Sequence, residues 1–379
     1  MSELKVSPIV ANWIAFQEQA AWLGSCEFPL FTDAHITGEI DLGPYSFINT
    51  VAAGNRKTIK PGVILRYAFH AEWEHPSFQE TDATLYHGGS PPEELAALAS
   101  LVMGIRLRAG RSVRKFEPHA DTKGRPEEIG DQNEPVFFAP QNHVIPGVAT
   151  GMHPMDGLQI VSSLPDLTPS QVNTLIRAAH LYQDALWLCE AEPQLSWLLL
   201  VSSLEAAANE WKEIQGSSIE RLEISKPEVY QVLATHEDKA LLPLIADAFA
   251  PSMGVTKKFR DFCLQFMPMA PPKRPMEWAQ FPWEPSVLKK TLEKIYGYRS
   301  NALHDGRPFP APMCEAPYKD PSWEAPSETM TGLGQHQMGS TWMKKDIPFH
   351  LHVFEYMTRE IILGWWRSLI SLRKDPVKL

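Results

Sequence analysis

Near the end of a strongly patterned helical segment stands the string Tyr298-Arg299-Ser300-Asn301-Ala302-Leu303-His304-Asp305-Gly306, with a guanidinium and an imidazole five residues apart. Counting from Leu288, the inner stripe of a helix falls on Leu292, Ile295, Arg299 and Ala302, so an arginine occupies a position the helix should bury. A cation there must be neutralised or must face a cleft. Glu205 carries the matching anomaly on a second helical segment, four residues beyond Val201 on an otherwise apolar side. An Arg299–Glu205 pair inside a helical bundle would satisfy both. His304 falls on the last turn, where the helix macrodipole stabilises positive charge, a setting that suits a general acid or a phosphate contact. On a continuous helix, five steps of about 100° leave Arg299 and His304 roughly 140° apart. They converge on one small group only if the helix breaks or a second copy of the chain contributes.

Other residues could carry chemistry. Arg106, Arg108, Arg111 and Arg114, followed by Lys115, form the densest basic run and could bind RNA or another phosphate-bearing ligand. His70, Glu72 and Glu74 would share one face of a strand, a candidate set of metal ligands, although no further His/Asp cluster is positioned to complete it. Phe349-His350-Leu351-His352 offers an H-x-H pair whose side chains diverge at a helix start, which points to capping and packing. A second arginine and histidine at the same spacing, Arg114 and His119, follow a glycine stop and enclose Pro118, which places them on a strand or loop. The cysteines Cys26, Cys189, Cys263 and Cys314 show no C-x-x-C or zinc-like spacing, so reduced thiols are expected, with no metal or cofactor.

The elements that must position these groups divide at about Leu164. Before it, Leu65, Tyr67, Phe69, Ala71 and Trp73 alternate with more polar residues as in a half-buried strand, and Ile36, Ile40 and Leu42 give a weaker strand interrupted by Gly38. Ser90-Pro91-Pro92-Glu93 opens a helix whose stripe runs from Leu95 through Ala109, with Gly110 as its stop. Residues 116–157 read as a long irregular connection with one strand at Val136-Phe137-Phe138. After Pro165 helices open at Thr168-Pro169 and at Pro193, followed by shorter ones at 241–249 and 257–266. Another runs from Pro285 to His304, and a last one has Phe354, Met357, Ile361, Trp365 and Leu369 inside. Trp365 and Trp366 are expected in the core or on a dimer face. The expected architecture is an α+β domain over 1–164, a sensor or regulatory candidate, followed by an all-α bundle over 165–379. The segment 307–348 exceeds what a compact bundle normally uses, which marks it as functional or mobile.

The whole chain sets limits. It has 379 residues, 44% hydrophobic and 21% charged, and a net charge of -10, which excludes a diffuse polyanion-binding surface and confines any RNA contact to a local cleft. No export signal is visible, and the most apolar stretch, 195–201, is far short of the roughly 20 residues of a membrane span. A cytoplasmic protein with no membrane partner is expected.

The string from Arg299 to His304, with Asp305-Gly306-Arg307-Pro308 after it, Leu204-Glu205-Ala206 on an earlier helix and Trp365-Trp366 on the last, resembles the HEPN superfamily over roughly residues 165–379. That resemblance implies a metal-independent endoribonuclease of toxin–antitoxin, defence or RNA-processing systems. Such a protein acts as a homodimer whose two arginines and two histidines line one cleft. His304 would then be the general acid/base, Arg299 would stabilise the charge gained at phosphorus, and Ser300 would orient one of them, where the family more often has asparagine, aspartate or histidine. Glu205 would hold Arg299 in place. RNA cleavage by its own 2′-hydroxyl needs a base, an acid and fixed positive charge, and would leave a 2′,3′-cyclic phosphate. A regulatory protein or antitoxin is a further expected partner. Two other readings stand beside this one: a non-catalytic dimerising module that binds a nucleotide, RNA or a protein, and a metal hydrolase built on His70, Glu72 and Glu74.

Overall fold

A computed structural model describes residues 6–50, 58–72, 81, 89–118, 123–127, 135, 140–211, 217–250 and 253–374. Helix α1 (Pro8–Gln17) precedes strands β1 (Gly24–Thr32), β2 (His35–Thr37), β3 (Ile40–Leu42), β4 (Tyr45–Asn49) and β5 (Lys60–Phe69). Helix α2 (Pro91–Met103), strands β6 (Arg108–Ala109), β7 (Arg114–Phe116) and β8 (Arg125–Pro126), the turn α3 (Pro146–Ala149), strand β9 (Met152–Pro154) and a 3-10 stretch, Met155–Asp166, follow. The rest is mostly helical: α4 (Pro169–Leu188), α5 (Pro193–Trp211), α6 (Ser218–Ser225), α7 (Pro227–Thr235), α8 (Leu241–Phe249), α9 (Val255–Gln265) and α10 (Pro285–His304). A hairpin of β10 (Gly334–Gln337) and β11 (Ser340–Met343) comes before the last helix, α11 (Leu351–Lys374). The architecture is α+β, with a sheet-containing N-terminal region and a mostly helical C-terminal half. No helix among the described residues is long and apolar enough to cross a membrane.

The main sheet is antiparallel, in the order β3-β4-β5-β1-β7-β8 with β6 also on β1. β5 shows the expected alternation, with Val63, Leu65 and Tyr67 buried and Arg66 exposed. It ends at Phe69 rather than continuing through Ala71, because the His70 and Ala71 amides donate to Asn12 Oδ1 at 2.7 and 3.1 Å instead of to a neighbouring strand; Trp73, the end of the expected strand, lies outside the described residues. Gly38 divides the other candidate strand into β2 and β3, and β2 pairs in parallel with β9. The stretch Val136–Phe138 lies outside the described residues.

Helix α2 opens on its capping box but stops at Met103, well short of Gly110. Gly104 takes a left-handed φ of 67° there, and a Cβ on it would meet Arg359 Cδ at 3.2 Å, so the chain must turn on a glycine at this point. The expected helix tail therefore becomes connection and strand, and the basic run after it does not share a helix face.

One hydrophobic core extends from Ile9 to Trp366 and crosses the position where the sequence texture changes. Helix α4 packs on both α2 and α5, and Trp365 and Trp366 are both buried in the core. A smaller cluster of Leu222, Leu233, Ala246 and Met253 joins α6, α7 and α8. The segment 307–348 is packed in part: Phe309, Met313, Met330 and Ile347 are buried, whereas Leu333 and Met338 at its hairpin are exposed. Trp197 stacks between Phe309, 5.4 Å away, and Phe354, 4.8 Å away, and its Nε1 donates to Met313 O.

Arg106 is fully buried, so the expected place in an RNA-binding surface is wrong. Its Nη1 donates to Asp33 Oδ2 at 2.6 Å, its Nη2 to Glu190 Oε1 at 2.9 Å, and its Nε to Leu186 O at 2.7 Å. Burial alone would raise Glu190, but hydrogen bonds from His143 and the Val144 amide, with the Arg106 charge, hold it below the usual carboxylate range. These contacts tie the β1–β2 turn to the end of α4. Replacing Arg106 by methionine would strand two buried carboxylates, and urea unfolding should show a loss of about 3–5 kcal/mol. The same measurement on Arg111→Ala, an exposed position, should change by less than about 0.5 kcal/mol.

Candidate functional site

Helix α10 starts on Pro285 and ends at His304, the span the periodicity predicts. Leu288, Leu292 and Ile295 are buried, and one turn further the stripe reaches Arg299. Its Nη2 donates to Glu205 Oε2 at 2.7 Å, and the other carboxylate oxygen accepts from the Tyr296 hydroxyl at 2.9 Å. The guanidinium lies 5.6 Å from the centroid of the Tyr296 ring. Both charged side chains are mostly buried, at 21% and 14% exposure, so this pair is shielded from bulk water. Burial, and then the adjacent Glu205 carboxylate, pushes Tyr296 up to about 12, so its hydroxyl stays a donor at neutral pH. Arg299 Nε is buried with no partner among the described residues.

Past Arg299 the helix runs unbroken. Asp305 and Arg307 donate their amides to Asn301 O at 2.9 and 3.2 Å, with Gly306 at a φ of 62° between them. His304 is therefore on the final turn, exposed, and Leu303 beside it is 52% exposed. Ser300 is half-buried. Since no break precedes His304, Arg299 and His304 of one chain point about 140° apart. Of the two routes to convergence, only a second copy of the chain is left.

The remaining basic run is divided: Arg108 and Arg111 line one concave site of about 530 Å³, together with Glu93 and Ser112, and Arg114 is not among its lining residues. Arg108 Nη2 donates to Asp184 Oδ1 at 2.6 Å and lies over the Trp187 ring. Arg114 sits on β7, donates to Lys123 O and lies 3.8 Å from Glu27, while Arg111 is exposed. His119, the partner of Arg114 in the second spacing match, lies outside the described residues. Of the candidate metal set, His70 Nδ1 is 3.0 Å from Ala20 O, and Glu74 is outside the described residues. Among the described residues no three His, Cys, Asp or Glu side chains are gathered as for a metal ion. His350 is buried with Nδ1 3.0 Å from Pro312 O, and burial pushes it down to about 4 and its neighbour His352 to about 3.

Two concave sites were not legible in the sequence. One, of about 320 Å³, lies where α2, α11 and the loops between them meet, and is lined by His153, His352, Glu355 and Arg359. Burial raises Glu355, which accepts a hydrogen bond from Tyr182, a residue distant in the sequence. The other, of about 450 Å³, lies along α10 and gathers Lys290, Lys294, Lys344 and Lys345. The four-residue step from Lys290 to Lys294 was its one local signal.

No family model, curated protein or solved structure matches this chain. The site is read from its own geometry.

Two measurements check that geometry. A double-mutant cycle of Glu205→Gln and Arg299→Met should give a coupling of about 1–3 kcal/mol, as for a shielded charge-assisted hydrogen bond. Stability should fall as pH drops from about 6.5 toward 4, because the unfolded chain takes up a proton that folded His350 refuses. That contribution is about 1.4 kcal/mol per pH unit, with His352 acting in the same direction. Urea midpoints of His350→Gln across this window should be flatter than those of the unaltered protein.

Proposed function

We propose that this protein is a metal-independent endoribonuclease of HEPN type, with a composite site made by two copies of the chain. The observation that carries this reading is the Arg299–Glu205 pair on α10 and α5: a clamped guanidinium five residues before an exposed imidazole on one unbroken helix. Glu205 engages Nη2 and leaves Nη1 without a partner among the described residues, so an arginine held in one orientation keeps a donor edge for a phosphate. In the proposed reaction His304 of one copy takes the 2′-hydroxyl proton as the freed oxygen attacks phosphorus. His304 of the other copy gives a proton to the departing 5′-oxygen, and Arg299 stabilises the charge gained in between. Ser300 would orient one of these groups. The N-terminal sheet region would sense a trigger or restrain activity, alone or with a regulatory protein or antitoxin.

The neutralisation of Arg299 by Glu205 also favours a second reading, a dimerising module without turnover that binds a nucleotide, RNA or a protein partner. One experiment separates them. Full-length protein incubated with end-labelled RNA in excess chelator should yield fragments ending in 2′,3′-cyclic phosphate, and His304→Ala should reduce the rate by about 10²–10⁴-fold. Cleavage that persists in His304→Ala removes His304 from the mechanism. Binding without cleavage by the unaltered protein selects the module.

A further inference from the structure

The groove along α10 is lined by Lys290, Lys294, Lys344 and Lys345, with Thr291 and Gln280 as further polar groups, and no carboxylate lines it. Such a concentration of cations runs against the net charge of -10 of the whole chain. Lys290, Lys294 and Lys345 make no ion pair or hydrogen bond among the described residues, unlike Arg106, Arg108 and Arg114. Unpaired ammonium groups on the two walls of one channel repel one another and favour a bound polyanion. Phe281, Val287 and Ile347 form an apolar floor beneath them.

A second observation stands at the rim. Trp278 is 53% exposed, and Lys344 fixes it from the groove side, donating from Nζ to Trp278 O at 3.0 Å and lying 5.6 Å from the ring centroid. Trp323 supports the same indole edge-on at 5.4 Å, and Tyr318 backs Trp323 at 5.5 Å. An exposed indole held rigid by its neighbours offers an open face for a planar ring. Cations along a channel with an aromatic platform beside them are the two features that single-stranded nucleic acid requires: phosphates track the charges and a base stacks on the ring.

We infer that this groove binds the sugar-phosphate backbone of single-stranded RNA, with a base stacked on Trp278. The inference rests on the proposed ribonuclease reading only for the choice of RNA as the polyanion. The groove and His304 share one helix: from Lys294 to His304 the helix rises about 15 Å and ends about 80° short of completing its third turn, so the last turn lies on the side of α10 that adjoins the groove wall. Lys290, Lys294 and Lys345 hold phosphates, and Lys344 positions the indole.

The test measures binding apart from cleavage. Fluorescence anisotropy of full-length protein with a labelled single-stranded RNA oligonucleotide, and with its uncleavable DNA counterpart, is followed in chelator over a series of salt concentrations. Lys290→Gln/Lys294→Gln/Lys345→Gln should weaken binding at least about tenfold and reduce the slope of log affinity against log salt by about 2, since each phosphate contact contributes about 0.7. Trp278→Ala should weaken binding about tenfold or more with the salt slope unchanged, a separation that a merely structural effect does not produce. These positions are exposed or at the groove rim, and circular dichroism melts confirm folding. Affinity unchanged in the triple variant overturns the inference, and so does polyglutamate or an anionic phosphatidylserine vesicle bound as tightly as RNA without dependence on Trp278. Absence of RNA binding by the unaltered protein also overturns it. RNA cleavage with affinity unchanged in the triple variant leaves the ribonuclease standing and removes the groove. Lysine- and tryptophan-dependent binding with no cleavage does the reverse.

Discussion

A guanidinium with no route to water sets the terms for much of this molecule. Arg106 is enclosed on all sides, and burying its charge is tolerable only because Asp33, Glu190 and the Leu186 carbonyl arrive from separate parts of the chain to meet it. The turn between β1 and β2, the exit of α2 and the end of α4 are therefore fixed relative to one another. This is why the sheet region and the helices share a core, and why α4 can pack on α2 and α5 together. The same requirement removes Arg106 from any surface role, and Asp184 and Glu27 partly neutralise the arginines beyond it. A separate group of lysines stands along α10.

Helix α10 is divided by what its sides meet as well as by polarity. Its inner stripe packs on the bundle and delivers Arg299 to Glu205, one flank presents lysines to the groove, and its end presents His304 to solvent. The Arg299–Glu205–Tyr296 set is a small network in which each polar atom limits the orientation of the next. Such a set can hold a guanidinium ready for a phosphate, and it can equally close a helix–helix contact. At the end of the same element stands an exposed imidazole, His304, with no partner among the described residues.

Much of the helical half was legible because its signals are local. Thr168 with Gln171 caps α4, Pro285 and Gly306 bracket α10, and the misplacement of Arg299 and Glu205 in two apolar stripes predicted their pairing before any contact was seen. Legibility ended where the deciding contact was distant in the chain. Gly104, not Gly110, stops α2, at a left-handed φ of 67° where a Cβ would meet Arg359 of the last helix. Periodicity carried β5 past Phe69 because nothing local announces that Asn12 captures the next two amides. The run of arginines looked like one patch because adjacency in sequence hides that Asp33 and Glu190 wait for the first of them. Length alone marked 307–348 as functional or mobile, and nothing local announces that Phe309 and Met313 meet Trp197. The lysine groove joins α10 to residues some fifty positions later, and no spacing rule spans that gap.

The continuity of α10 has an arithmetic consequence. Arg299 and His304 stand on different sides of the helix, so a site that needs both would take one from each of two chains, and the encounter of two chains grows with the square of their number. Under the dimeric reading, output would rise with the square of concentration well below the dissociation constant of the pair and only in proportion to concentration above it.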